Sequence, residues 1–449
     1  MIRLLIKKEF LENIFNKRFY LLLLLNICLG WSSTFILTIE YNQHLSEYYQ
    51  QVNLQNNMLD NHFTLNAWDG AILMPPLPPP KFSPFIRTLK NNFTVFASID
   101  NNPILMLFPF LDIVFLIGIL MSLTAISLSY NSISGERESG TLKLMLTSGI
   151  SRSHLLFGKW MGGMISIITI LFINLFGAFL IVYALSEFDW QPVDWATFLF
   201  LFFLSALYCS CFFSLGFYIS TKTKNSASSI IVALLVWLVF IIILPTTPKY
   251  LAELIHARPS VSQIQYEVFF KIKQEEQERI NEVRAQYYSK GLTEAEVETN
   301  SKTEVDKIIV EYENKSEELK QAAVKSSALY ELVTAAIHFL SPYSCYIISS
   351  SELTASGATN QINFINDAQR YLNNLSSFIQ KKIIDNKTEN KTYLNNQIID
   401  IAGRPQFNYS EIGFNYRVLA ASIHSLFIFI FTILFFVLSW KNFLKYDVR

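Results

Sequence analysis

Charge is scarce in this 449-residue chain: Asp, Glu, Lys and Arg make up 16% of it, against 51% hydrophobic residues. Soluble domains carry about a quarter charged residues, so a plain cytosolic enzyme is disfavoured. Neither sign prevails. Thirty-six basic residues face thirty-six acidic ones, which leaves no basic excess to hold nucleic acid. Four cysteines (Cys28, Cys209, Cys211 and Cys345) are too few for a disulfide framework, and three of them sit in apolar runs as small hydrophobes. The patterns that carry chemistry are missing too. A phosphate-binding loop needs a glycine five positions before Gly-Lys-Ser/Thr. Here Gly158-Lys159 is followed by Trp160, and Ser153 stands in place of that glycine. The six histidines (His44, His62, His154, His256, His338 and His424) form no i,i+4 pair. Cys209 and Cys211, two apart on an apolar helix, point to different faces and cannot clamp a metal together. No Gly-x-Ser-x-Gly elbow occurs, and Glu275-Glu276 lie in a charged stretch that solvation explains. Catalysis within this chain is not expected, and no cofactor is expected on it.

What is abundant is apolar length. A membrane-spanning helix needs about 20 mostly apolar residues. Six stretches qualify: residues 19–39, 104–130, 158–185, 195–219, 227–245 and 418–440. The only acid within them is Asp112, near one end of the second. The composition and spans predict an all-α polytopic membrane protein with six transmembrane helices. Residues 1–18 read as an amphipathic interfacial helix. Glu9 and Glu12 give that leader mixed charge, and the first apolar run is longer than a signal core, so an uncleaved first span is expected. Short-loop Lys and Arg set orientation. With the N-terminus cytoplasmic, that side holds Arg3, Lys7, Lys8, Lys17 and Arg18, then Arg137, Lys143, Arg152 and Lys159, then Lys222 and Lys224, and finally Lys441, Lys445 and Arg449. Both termini are therefore expected inside, with residues 441–449 as a cytoplasmic tail.

Two segments then lie outside. Residues 41–103 are Asn- and Gln-rich and contain Pro75-Pro76-Leu77-Pro78-Pro79-Pro80, a stiff surface spacer. Residues 246–417 are long enough for a helical extracytoplasmic domain. Between Ser262 and Ala336 the charge is dense, with Ile264, Val268, Ile272, Ile308, Tyr312 and Leu319 at helical spacing and a break near Lys290-Gly291-Leu292-Thr293. An antiparallel helical hairpin is predicted there. Residues 339–346 are apolar but too short to span, and are expected at the bilayer surface or capping the hairpin. Residues 360–391 continue with weak helical pattern. Asn-x-Ser/Thr triplets at Asn92, Asn374, Asn386, Asn390 and Asn408 carry no weight in so Asn-rich a chain.

One inner segment stands apart: Gly135 to Lys159, GERESGTLKLMLTSGISRSHLLFGK. Glu136 and Glu138 lie at a helix start, where the dipole favours acids. Leu142, Leu144, Met145 and Leu146 put an apolar ridge on a loop that should face water. Ser148-Gly149 break the helix and Ser151 can cap the next one, ahead of Leu155, Leu156 and Phe157. Such a ridge framed by charges suits a protein partner, while an amphipathic helix lying on lipid fits the ridge alone.

This segment resembles the signature loop of ABC-2 type transporter permeases. Their Glu-x-Gly-Thr-Leu start is matched by Glu138, Gly140, Thr141 and Leu142. The leucine run is matched by Leu144 and Leu146, the Ser/Thr-Arg step by Ser151-Arg152, and the closing Gly-Lys by Gly158-Lys159. Where the family commonly has proline at the turn, this chain has Gly149. The six-span order, the N-terminal amphipathic helix and the large outer insertion are similar to a subgroup associated with multicopper-enzyme maturation and gliding motility. The resemblance implies a permease subunit that binds no nucleotide. ATP and Mg belong to a separate cytoplasmic ABC ATPase, which docks on a coupling loop, residues 131–157. Glu136, Glu138, Gly140, Thr141 and Arg152 help it dock, with Leu142 and Leu146 as the apolar contact and Gly158 and Lys159 closing the motif. The resemblance also implies a second permease chain, as homodimer or sister permease, in a bacterial cytoplasmic (inner) membrane, with lipid around it and an extracytoplasmic partner protein for the outer domain. Two functions compete: export driven by the ATPase, or a mechanotransmitting complex in which the outer hairpin moves and nothing crosses the bilayer. A third, an intramembrane enzyme, lacks its residues. Copper is disfavoured as bound cargo, since no outer Met, His or Cys cluster exists.

Overall fold

The computed structural model describes residues 2–61, 75–87, 111–147, 150–187, 189–248, 271–291, 294–389 and 403–445. No strand occurs among them. Contacts divide the chain into two compact units, one of Met1–Lys90, Ser98–Ile241 and Pro342–Arg449, the other of Asn91–Ala97 and Ile242–Ser341.

The first unit is a helical membrane body. Helix α1 (Ile2–Ile14) is followed by α2 (Lys17–Asn61), whose 45 residues reach about 67 Å at 1.5 Å per residue. Helix α3 covers residues 113–129 and has a π-helical turn at Ile117–Met121. Short helices α4 (Ser134–Glu138) and α5 (Thr141–Thr147) lead into α6 (Arg152–Leu185), then α7 (Pro192–Lys222) and α8 (Ser226–Leu238). Among the described residues, six helices are long and apolar enough to cross a membrane: Lys17–Asn57, Ile113–Glu138, Arg152–Leu185, Pro192–Lys222, Ser226–Pro248 and Phe414–Leu444. Residues 104–110, the start of the second expected span, lie outside the described residues. On α8 and on the last helix, large side chains such as Ile231, Leu235, Ile423 and Leu426 are more than half exposed. In water that would be an aggregation surface; hydrocarbon is the solvent that suits it. The chain is a multi-pass membrane protein.

Helix α7 is the hub, because α3, α6, α8, α11 (Pro342–Leu353) and α13 (Phe414–Leu444) all pack on it. Tyr208, Phe212, Phe213 and Phe217 on this helix are fully buried. At the π turn of α3, the Gly118 carbonyl accepts the Tyr208 hydroxyl at 2.6 Å and Ser122 Oγ at 2.7 Å. Trp237 of α8 donates in turn to Ser122 Oγ at 2.8 Å. A widened turn frees backbone from the regular ladder, and in a dry interior these side chains supply the missing partners.

Where the sequence suggested a surface or capping segment near residues 339–346, helix α11 (Pro342–Leu353) instead inserts into the membrane body. Its 12 residues rise about 18 Å, too short to span about 30 Å of hydrocarbon. It packs on α7 and on α13 (Phe414–Leu444), with Cys345 and Tyr346 completely buried. The Tyr346 ring stacks on Tyr208 at 4.3 Å and its hydroxyl pairs with Ser205 Oγ at 2.9 Å. A stretch with four serines among twelve residues is polar for its place; Ser349 Oγ donates to the Ala421 carbonyl at 3.0 Å and Ser351 Oγ to the Ile348 carbonyl at 2.8 Å. Helix α12 (Ala358–Glu389) buries Phe364, Ala368, Leu375 and Ile379, one face at helical spacing, and Phe364 packs edge-on against the rings of Phe407 and Tyr409.

The second unit contains α9 (Lys273–Tyr288) and α10 (Glu294–His338). Glu275 meets Lys315 at 2.7 Å and Tyr287 meets Glu304 at 3.3 Å, so as one helix ascends the other descends. The pair is an antiparallel hairpin. Ile280, Val297 and Ile308 are buried in it, and Gly291, at φ +78°, follows the end of α9. The bond from Lys315 holds the Glu275 carboxyl below its ordinary value. Positions 264 and 268, read as part of this pattern, lie outside the described residues.

Candidate inner docking site

The inner loop is assembled by helix ends. Helix α4 starts where Ile133 N and Ser134 N both donate to Ser220 Oγ at 3.0 Å. Next in line, Arg137 donates to the carbonyls of Thr223 (2.6 Å) and Thr221 (3.1 Å), at the C-terminus of α7. Glu138 accepts from Ser226 N at 3.0 Å, at the N-terminus of α8. A cation thus sits on a negative helix end and an acid on a positive one. The two side chains clip α4 onto the α7–α8 turn. Gly140 lies between α4 and α5 at φ +77°, a conformation that side chains with a Cβ rarely adopt. The exposed Thr141 hydroxyl meets Ser139 Oγ at 2.9 Å.

Along α5 the ridge splits. Leu142 is fully buried within the chain, Leu146 is half-buried, and Leu144 is 70% exposed. Four apolar residues in a row of five cannot all face one way on a helix, because successive positions turn by about 100°. The apolar group left exposed is Leu144, with Lys143 and Thr147 exposed beside it. The Ser148-Gly149 break lies outside the described residues. Beyond it, Ser151 caps α6 by accepting from His154 N at 3.3 Å, and Arg152 donates to the Leu444 carbonyl of α13 at 2.7 Å.

Lys159 is the anchor beneath. It is 5% exposed, and its ammonium meets Glu9 Oε2 of α1 at 2.9 Å and Glu136 Oε1 of α4 at 2.7 Å. Helix α1 comes this close because α6 offers glycines to it. A Cβ on Gly158 would lie 2.9 Å from Leu5 Cβ, and one on Gly162 would lie 2.6 Å from Glu9 Cβ and 3.0 Å from the Ile6 carbonyl. Of the expected site residues, Leu142, Gly158 and Lys159 are buried, Glu136, Leu146 and Arg152 are partly buried, and Glu138, Gly140 and Thr141 are exposed; Leu144, exposed beside them, is not among the residues expected to dock. Sequence reasoning missed Glu9 and Arg137 as members. Their partners are 150 and some 85 residues away, so no local spacing could have paired them. Among the described residues no cluster of His, Cys, Asp and Glu could hold a metal.

The site is thus a short exposed helix, α5, that follows α4, and charges and caps tie α4 to α6, α7 and α8. The family follows. A profile described as ABC-2 family transporter protein matches residues 3–448, and the chain belongs to that family as a membrane permease subunit of an ABC transporter. It is 32% identical over 125 residues, 28% of its length, to the probable ABC transporter permease protein NosY of Stutzerimonas stutzeri. The match spans 45% of that relative, just under half of its length.

Proposed function

We propose that this chain converts ATP hydrolysis on a separate cytoplasmic ABC ATPase, where ATP and Mg reside, into movement of the membrane body, with α5 as the docking helix. The observation that carries the reading is the contrast on α5: one leucine exposed into solvent on an element whose neighbours are all fastened to spans. Leu144, a large side chain left 70% exposed on a short helix that follows the fastened α4, suits an interface anchor. The chain works with a second permease chain in a bacterial inner membrane, both termini inside and the α9–α10 hairpin outside. The work done is export of a substrate. The length of α10, 45 residues in a unit of its own, supports a second reading in which the hairpin itself is moved and the bilayer is not crossed. Both share the docking helix. The test is Leu144→Glu beside Leu142→Glu, with membrane insertion and ATPase copurification measured separately. Leu144→Glu should insert normally and lose most of the copurifying ATPase. Leu142→Glu buries a carboxylate and should impair the chain itself. Full ATPase recovery with Leu144→Glu would refute docking at α5.

A further inference from the structure

Two features of the sequence have no place in the inner site: the polyproline stretch and Asp112. The structure brings them together at the other end of the bundle. After the extended Pro75–Pro80, residues 81–87 make compact turns, with Ser83 N and Phe85 N donating to the Pro80 and Phe82 carbonyls at 2.9 Å. Phe82, Phe85 and Ile86 are at most 3% exposed. Phe82 packs edge-on against Trp190, and Phe85 lies 5.9 Å from the Phe198 ring of α7.

The flanks of this plug are charged, and each charge reaches a different span. Lys81 Nζ meets Asp194 Oδ2 of α7 at 3.1 Å. Arg87 pairs with Glu40 of α2, which His44 also approaches at 3.4 Å. The Arg87 backbone N–H donates to Asp112 Oδ2 at 3.0 Å, while Asp112 Oδ1 caps α3 by accepting from Phe115 N at 2.7 Å. The Val114 N–H donates to the Phe85 carbonyl at 3.3 Å. A seven-residue segment therefore holds the middle of α2 and the N-terminal ends of α3 and α7 together over an aromatic plug. These elements cannot part without breaking at least one ion pair or capping bond. Lys81 and Arg87 stay partly exposed, so water can replace these bonds, which it cannot do for packed helix faces.

We propose that residues 81–87 are a latch on the outer end of the permease, with Lys81 and Arg87 as its positioning residues, and that the ATP-driven cycle opens it. The driving of the latch by ATP rests on the permease reading above; the locking by charge does not.

The experiment labels a buried latch residue from outside the cell. In the full chain carrying Cys28→Ser, the three remaining cysteines are buried, so Phe85→Cys reports alone. Ile86→Cys serves as a second reporter in case the ring is needed for folding. The probe is a membrane-impermeant maleimide, and Asn300→Cys is the control for reagent access. Labelling should be slow in ATP-depleted cells and at least several-fold faster in ATP-replete cells. With Lys81→Ala and Arg87→Ala added, it should be fast in both. The same rate with and without the charge pairs overturns the latch, whether or not an ATPase copurifies. The same rate with and without ATP, in cells where the ATPase does copurify, also overturns it and leaves the permease reading standing. Absence of any copurifying ATPase defeats the permease reading, and with it the ATP-driven opening.

Discussion

Lys159 gives the sharpest test of the inner architecture. One ammonium, 5% exposed, serves two carboxylates from two other helices, and the second Glu136 oxygen has no hydrogen-bond partner in the structure. Lys159→Met keeps most of the side-chain volume and removes the charge, leaving Glu9 and Glu136 facing each other. Removing one member of a buried ion pair costs about 3–5 kcal/mol. At 1.4 kcal/mol per tenfold, that is roughly two to three and a half orders of magnitude in the folding equilibrium. The triple variant Glu9→Gln, Lys159→Met, Glu136→Gln removes the charges together. Replacing a whole buried charge set is often close to neutral, so most of the loss should return, to within about 1 kcal/mol. The assay is unfolding of the purified chain in mixed micelles, with protease sensitivity of α1 as the local readout. The single variant should be strongly destabilised and its N-terminal helix clipped, and the triple variant should be neither. If Lys159→Met matched the parent chain in both measurements, the three charges would have to be solvated, and the account of α1 as fastened through them would fail.

The other expectations are simpler to read. Leu144→Glu should separate docking from folding while Leu142→Glu does not, by copurification and insertion. Release of the outer latch should be visible as faster maleimide labelling of Phe85→Cys. Gly162→Leu should push α1 off α6, at a cost of about 1–3 kcal/mol for overpacking, and expose α1 to protease; Gly135→Ala, whose added Cβ would find its nearest neighbour at 3.4 Å, should not. Asn300→Cys, exposed on α10, should label from outside in intact cells, and protection there would reverse the proposed topology.

The spans were legible because lipid imposes a one-dimensional rule: a run of about 20 apolar residues is enough to mark each one. Local chemistry was legible too, as at Ser151, whose cap lies three residues away. The outer half of α2 was not. Residues 40–61 are polar, with glutamines and asparagines that read as loop, yet they continue a helix already nucleated within the membrane, and extending a helix is easy compared with starting one. The facing of Leu142 and Leu144 was hidden by the crowding of apolar residues, which leaves no period to read. Glu9, Lys81 and Arg87 were hidden by distance, since each matters through a partner far along the chain. Helix α11 was misplaced for another reason: its serines look solvent-facing, yet hydroxyls such as those of Ser349 and Ser351 can be buried by donating to backbone carbonyls.

The length of α2 has a mechanical side. About 67 Å of unbroken helix is roughly twice the thickness of a hydrocarbon layer, so the segment works as an oar through a rowlock. Near one end it follows directly on α1, which Glu9 ties to Lys159; farther along, Glu40 holds Arg87. Swung by about 5° around its inner end, such a rod carries Glu40, about 35 Å along it, by about 3 Å, about the reach of a hydrogen bond. A stroke too small to disturb packing at the inner end is therefore enough, by leverage alone, to unseat the contact halfway along.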